Sequence, residues 1–264
     1  MKRYFALAGM AITVCALAGA QEVSVDRVVV PARNSTRPRL VDAALTNGSI
    51  TVKAYSGNEV IVETTGHHSD RERRSYEGLH RIDVPPGGLE VQEEDNVVTV
   101  RARSNPGVSL VISVPVNTSL RLKSTNGSIS VEGVHGELDV STTNGRVNLT
   151  NVSGTVLADS HNGKVVVVMD RVDPGKPMSF SSFNGDIDVT LPADFKANLK
   201  LRANQGEIYS DFDMKLTPGS SLTERTSEGR YRVRVERVIT GTINGGGAEA
   251  SFSTFNGKIL IRKK

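Results

Sequence analysis

Hydrophobic and polar residues alternate along most of the chain, and an Asn-Gly dipeptide stands before many of the alternating segments. Ser-Ile-Ser-Val at 128–131 and Asp-Ile-Asp-Val at 186–189 are examples. Alternation with a period of two residues is typical of half-buried β-strands, and helical periodicity is absent outside the N-terminal segment. The dipeptides are Asn47-Gly48, Asn126-Gly127, Asn144-Gly145, Asn162-Gly163, Asn184-Gly185 and Asn256-Gly257. The pattern predicts an all-β protein.

These segments form an internal repeat. From Asn126 onward the dipeptides are 18, 18 and 22 residues apart, and Gln205-Gly206 takes the equivalent place in a further copy. Residues 46–52 match 125–131 at 6 of 7 positions, and residues 179–189 match 251–261 at 7 of 11. One repeat of about 18–22 residues therefore holds two short strands and two turns.

Alternation also predicts which side chains form the core. Ser128 and Ser130 fall on the polar face of their strand. The residues predicted to point inward are Ile129, Val131, Leu138, Val140, Val147, Leu149, Val156, Val165, Val167, Ile187, Val189, Ile259 and Ile261.

Two architectures fit this repeat. Asn-Gly favours the type I′ turn of a β-hairpin. The regular spacing instead favours a β-solenoid, or β-helix-like fold, in which each repeat is one coil of 18–22 residues. We favour the solenoid and assign the six Asn-Gly dipeptides a structural role at its turns, because Asn and Gly adopt left-handed backbone conformations at little steric cost.

Other segments frame the repeat. Residues 1–20 are predicted to be a signal peptide, with Lys2 and Arg3 before an apolar run and Ala18-Gly19-Ala20 as the cleavage site. Residues 21–40 are predicted to form an N-terminal strand or cap, and residues 41–264 the β-solenoid domain. A basic loop at 66–88 interrupts that domain.

Charge and cysteine content narrow the possible functions. Without Lys2 and Arg3 the chain keeps 30 basic and 29 acidic residues, a net charge of +1, which argues against nucleic acid as a partner. Cys15, the only cysteine, lies in the predicted signal peptide. We expect no transmembrane span after cleavage, and an exported protein of the periplasm, the cell surface or the surrounding medium.

The sequence of the repeats resembles that of a known family. The segments 114–156, 176–201 and 205–214 are similar to the bacterial putative-adhesin family of exported β-strand repeat proteins, catalogued as a domain of unknown function. The resemblance implies a right-handed solenoid-like fold and export. It transfers no catalytic residue to this chain.

Candidate chemistry is sparse, and we expect no enzyme activity, metal or cofactor. Asp186 with Asp188, and the run Asp159-Ser160-His161, are interpreted as surface and turn residues rather than as catalytic groups. The residues best suited to an anionic partner are Arg71, Arg73, Arg74 and Arg81. The predicted function is binding or scaffolding in the cell envelope, with a polysaccharide or a protein as partner. A stress-sensing or regulatory module and a carbohydrate-active enzyme are the alternatives.

Overall fold

The structure is a computed structural model, and it describes residues 27–33, 38–66, 89–102, 108–218, 222–225, 231–234 and 238–264. The predicted signal peptide and all but the first residue of the predicted basic loop lie outside these residues. Every regular element among the described residues is a β-strand. The predicted all-β class is therefore confirmed.

The chain forms a long series of short strands. In chain order they are β1 (Arg27–Val30), β2 (Arg39–Asn47), β3 (Ile50–Tyr55), β4 (Val60–Gly66), β5 (Leu89–Glu94), β6 (Val97–Ala102), β7 (Val108–Pro115), β8 (Thr118–Asn126), β9 (Ile129–Glu132), β10 (His135–Asn144), β11 (Val147–Asn162), β12 (Val165–Val172), β13 (Met178–Asn184), β14 (Ile187–Leu191), β15 (Ala197–Gln205), β16 (Ile208–Ser210), β17 (Met214–Pro218), β18 (Leu222–Arg225), β19 (Tyr231–Arg234), β20 (Ile239–Ile243), β21 (Glu249–Asn256) and β22 (Ile259–Lys263).

Strands that enter an Asn-Gly turn and strands that leave it pair in two separate stacks. The entry stack has the order β5, β6, β2, β8, β10, the second half of β11, β13, β21, β15, β20 and β17. The exit stack has the order β1, β4, β7, β3, β9, the first half of β11, β12, β14, β22 and β16.

The central pairs of both stacks are parallel, and their register follows the repeat. Leu138 of β10 lies opposite Val156 of β11, and Asn144 lies opposite Asn162. The two strands that flank each Asn-Gly turn pair with other coils and not with each other. The hairpin interpretation of these turns is therefore wrong, and the fold is solenoid-like.

The coils do not stack in chain order at either end. We call an entry strand and the exit strand that follows it a coil. Along the stack the coils are β6/β7, β2/β3, β8/β9, β10/β11, β11/β12, β13/β14, β21/β22 and β15/β16. The coil of β2 and β3 is covered on its outer side by the later strands β6 and β7. The last coil, β21/β22, lies between two earlier ones.

One apolar core runs through the stack. All the residues predicted to point inward are buried, with 0–1% of their surface exposed. The rings of Phe180 and Phe252 stack in this core with their centroids 4.9 Å apart. The core predicted from alternation is confirmed. The polar side chains of these strands lie mainly on the outer faces of the two stacks.

Candidate functional site: the asparagine ladder and the outer face of the entry stack

The six asparagines of the Asn-Gly turns form a ladder along one edge of the stack. From the second asparagine of the stack onward, the side-chain Nδ2 of each donates a hydrogen bond to Oδ1 of the asparagine in the preceding coil. The distances are 2.9 Å for Asn126 to Asn47, 2.9 Å for Asn144 to Asn126, 2.8 Å for Asn162 to Asn144, 2.9 Å for Asn184 to Asn162 and 2.8 Å for Asn256 to Asn184. Gln205 lies opposite Asn256 in the next coil.

The glycines of these turns are needed mainly because neighbouring coils approach closely. A Cβ atom on Gly145 would lie 2.1 Å from the carbonyl oxygen of Gly127, and one on Gly163 would lie 1.9 Å from that of Gly145. Among the six turns, only Gly48 and Gly257 have a positive φ, of 123° and 153°. The expectation that left-handed backbone explains these turns is therefore wrong for the four turns between them, where backbone packing explains the glycine.

A second row of five hydrogen bonds links neighbouring turns on the inner side of the stack. The hydroxyl two residues before the ladder asparagine donates to a glycine carbonyl of the adjacent coil. The pairs are Ser124 with Gly48, Thr142 with Gly127, Ser160 with Gly145, Ser182 with Gly163 and Thr254 with Gly185. These buried hydroxyls satisfy carbonyls that would otherwise lack a partner.

The outer face of the entry stack has two different halves. On β6, β2, β8 and β10, charges of opposite sign pair across the coils. Arg101 lies 3.0 Å from Asp42, and Arg121 lies 3.6 Å from Asp42 and 3.9 Å from Asp139. The two arginine and two aspartate charges on this half of the face therefore neutralise one another.

The other half of this face carries an aromatic row. His161, Phe183 and Phe255 each precede a ladder asparagine, and Phe183 stacks against both of the others at 4.8 Å between ring centroids. Phe183 is still 43% exposed. Because a ring covers each of its faces, Phe183 presents mainly its ring edge to solvent.

A polar row runs beside the aromatic one. It consists of Asp159, Ser181, Ser253 and Arg202, which occupy equivalent positions on successive strands. The hydroxyl of Ser181 donates to Asp159, and Arg202 Nε donates to Asn204 Oδ1 at 3.2 Å. We call the aromatic and polar rows together the binding face.

A shallow groove of about 370 Å³ follows these two rows. Its lining consists of Asp159, Ser181, Ser182, Phe183, Arg202, Asn204, Ser253, Thr254 and Phe255. Hydroxyl, carboxylate, amide and guanidinium groups thus lie next to ring edges at the strand spacing of about 4.8 Å. This arrangement suits an extended ligand that crosses several coils.

The residues considered for catalysis do not converge. Ser160 points inward to a backbone carbonyl, whereas its neighbours Asp159 and His161 lie on the outer face, as strand alternation requires. Asp188 lies on the outer face of the exit stack, 2.8 Å from Arg262 and 3.6 Å from Lys164. Within the part of the chain that the structure describes, no cluster of three or more His, Cys, Asp or Glu side chains could hold a metal ion.

Sequence reasoning missed the binding face. The signal was present, because Phe183 and Phe255 hold the same position in the two closely matching segments 179–189 and 251–261. The arginines predicted to bind an anionic partner, Arg71, Arg73, Arg74 and Arg81, lie outside the described residues.

Parallel coils and an asparagine ladder define an all-β, solenoid-like repeat protein. The chain belongs to the Toastrack DUF4097 family, whose model matches residues 34–244. The family resemblance inferred from the repeat sequences is therefore confirmed. No curated protein matches the sequence.

Three solved structures are similar to the chain, each over 91% of its length. One is described as "a putative cell adhesion protein" from Clostridium sporogenes, with 12% identity, 100% of that chain covered and a TM-score of 0.38. Another is "a putative adhesin" from Bacteroides fragilis, with 12% identity, 97% covered and a TM-score of 0.32. A third, with the same description, comes from Parabacteroides merdae, with 10% identity, 96% covered and a TM-score of 0.30.

A search for membrane-spanning helices finds no candidate among the described residues.

Proposed function

We propose that the protein is an exported, non-enzymatic binding protein of the bacterial cell envelope, with an adhesin-like role, and that an extended polymer docks along its binding face. The observation that carries the proposal is the row of stacked aromatic side chains beside a row of hydrogen-bonding groups. Two large apolar side chains on this outer face, Phe183 and Leu157, are 43% and 44% exposed.

The chemistry of the face favours a polysaccharide as the polymer. Serine hydroxyls, a carboxylate, an amide and a guanidinium offer both donors and acceptors to sugar hydroxyls. Neighbouring ring edges supply apolar contact beside them. The shallow groove crosses the strands and does not enclose a small molecule, so a chain of similar units could contact several coils at once.

The proposal is tested with a double variant, Phe183→Ser and Phe255→Ser. Binding to purified envelope polysaccharide should fall by roughly tenfold or more, because aromatic side chains that become buried in a complex supply a large share of its binding energy. The matched control is Val166→Ser with Leu260→Ser, which removes two apolar side chains from the outer face of the exit stack. Both variants should keep the wild-type circular dichroism spectrum. Equal polysaccharide binding by wild type and both variants would contradict the proposal.

The basic loop is a second proposed contact, for anionic groups of the same envelope partner. Arginine binds carboxylates and phosphates in a forked geometry, and this attraction weakens as salt is added. Replacing Arg71, Arg73 and Arg74 by Ser should weaken binding to acidic polysaccharide at low salt and leave folding intact. Unchanged low-salt binding would remove the loop from the proposal.

A further inference from the structure

The Asn-Gly turns have a chemical property that the proposed function does not use. In a flexible chain Asn-Gly is prone to deamidation, because glycine has no side chain to obstruct its backbone nitrogen. That nitrogen, after losing its proton to base, attacks Cγ of the asparagine side chain. A C–N bond forms, the bond to the side-chain nitrogen breaks and ammonia leaves. Water then opens the cyclic succinimide to aspartate or isoaspartate.

In the folded protein both reacting groups are held by neighbouring coils. The backbone N–H of each turn glycine donates to the carbonyl of the residue at the ladder position of the adjacent coil, as in Gly163 to Asn184 at 3.0 Å. The side-chain amide of the asparagine is held by the ladder. Attack therefore requires that two hydrogen bonds between coils break together.

We propose that the six Asn-Gly turns are latent deamidation sites which the ladder protects, and that Asn256 is the first to react. Its glycine, Gly257, makes the longest of the six backbone bonds, 3.3 Å to Gln205, against 2.8–3.1 Å for the other five. Asn256 also ends the ladder. Within the described residues, no side chain donates to its Oδ1.

The product would damage the ladder itself. An aspartate at position 256 is an acceptor only, so it cannot donate to Oδ1 of Asn184 as the amide does now. Isoaspartate in addition lengthens the backbone inside a turn whose glycine already touches the next coil. Loss of the Asn256 rung leaves Asn184 as the new end of the ladder, so reaction should proceed inward from this end.

The first experiment compares site-specific rates in one protein. Folded protein and protein unfolded in guanidinium are incubated at the same mildly alkaline pH, and deamidation is measured at each site by peptide mapping. In the unfolded chain the six sites should react at similar rates, and Gln205-Gly206 should serve as a slow internal control. In the folded protein the four interior sites, at 126, 144, 162 and 184, should be slowed by at least about tenfold, since local opening must precede reaction. Asn256 should react first.

A second experiment breaks the ladder at a chosen rung. Asn162→Ser removes the amide that accepts from Asn184, so deamidation of Asn184 in the folded variant should rise several-fold. Asn148→Ser, on the outer face of the exit stack, is the matched control and should leave this rate unchanged. Folded protein that reacts as fast as unfolded protein would overturn the proposal, as would any of the other five sites, Asn47 included, reacting before Asn256. A folded Asn162→Ser variant with an unchanged rate at Asn184 would also overturn it. If that variant does not fold, the rates in the wild-type protein decide.

Discussion

At the scale of single residues, strand alternation divides neighbouring side chains between the core and the surface. Ile187 is fully buried, whereas the next residue, Asp188, lies between Arg262 and Lys164 on the outer face. Alternation alone predicted this division. It could not predict the partners of Asp188, because those side chains come from other coils.

Ile187→Asp should lower the free energy of unfolding by about 3–5 kcal/mol, since it buries a charge without a partner. Asp188→Asn should cost less, about 1 kcal/mol, because both cationic partners of Asp188 reach solvent and the asparagine side chain keeps an acceptor oxygen. Urea denaturation of both variants measures the difference. Similar midpoints for the two variants would mean that the strand register is wrong.

The free energy of unfolding should depend slightly on pH through Glu207, the residue just before β16. Hydrogen bonding from the Tyr209 hydroxyl, and then the charge of Lys258, lower the pKa of the Glu207 carboxyl from its ordinary value of 4.5. The stabilisation is present above the unfolded-state pKa and is lost as the pH falls through the lower folded-state pKa. Glu207→Gln should therefore be less stable than wild type at neutral pH only. A stability difference that persists in acid below both pKa values would exclude this carboxylate as its source.

At the scale of elements, the turns depend on contacts between coils more than on local conformation. The sequence indicates a turn at each Asn-Gly dipeptide. Local preference predicted left-handed glycines there, but Gly127, Gly145, Gly163 and Gly185 lack a positive φ. Their requirement for glycine arises from the backbone of the adjacent coil, and no sequence window around one turn contains that information.

Gly145→Ala tests this explanation. The added Cβ would lie 2.1 Å from the Gly127 carbonyl oxygen. We expect a loss of about 2–4 kcal/mol in the free energy of unfolding, because backbone cannot move aside as a flexible side chain can. The control is Gly175→Asn, where φ is +85° but no atom lies within 4 Å of the added Cβ. The positive φ strains the asparagine of the control by about 1 kcal/mol. Thermal or urea denaturation should therefore show a smaller loss in the control than in Gly145→Ala, and equal losses would contradict the packing explanation.

At the scale of the whole molecule, the ends of the stack depart from chain order. Repeat spacing predicted a solenoid but could not show that β21 and β22 insert between two earlier coils, because the strand pattern is the same in every copy. The similarity between copies of the repeat did indicate which coils are neighbours. The closely matching segments 46–52 and 125–131 lie in adjacent coils, as do 179–189 and 251–261.

Because β21 and β22 lie between two earlier coils, the C-terminal strands pair with strands from the middle of the chain. The β21 strand pairs with β13 on one side and with β15 on the other, so its removal would separate two strands that do not pair with each other. Both the aromatic row and the asparagine ladder pass through this coil, as Phe255 and Asn256. The binding face and the ladder therefore depend on the same long-range pairing.

Disulfide trapping of the coil order tests this account most directly. In a Cys15→Ser background, Ser181→Cys with Ser253→Cys places two thiols on directly paired strands, and their Cα separation of about 5 Å suits a disulfide. Ser181→Cys with Arg202→Cys places them on strands with β21 between, at about 10 Å, beyond disulfide reach. The account predicts rapid cross-linking of the first pair and none of the second in folded protein. Cross-linking of 181 with 202 but not with 253 would mean that the coils follow chain order, and would contradict it.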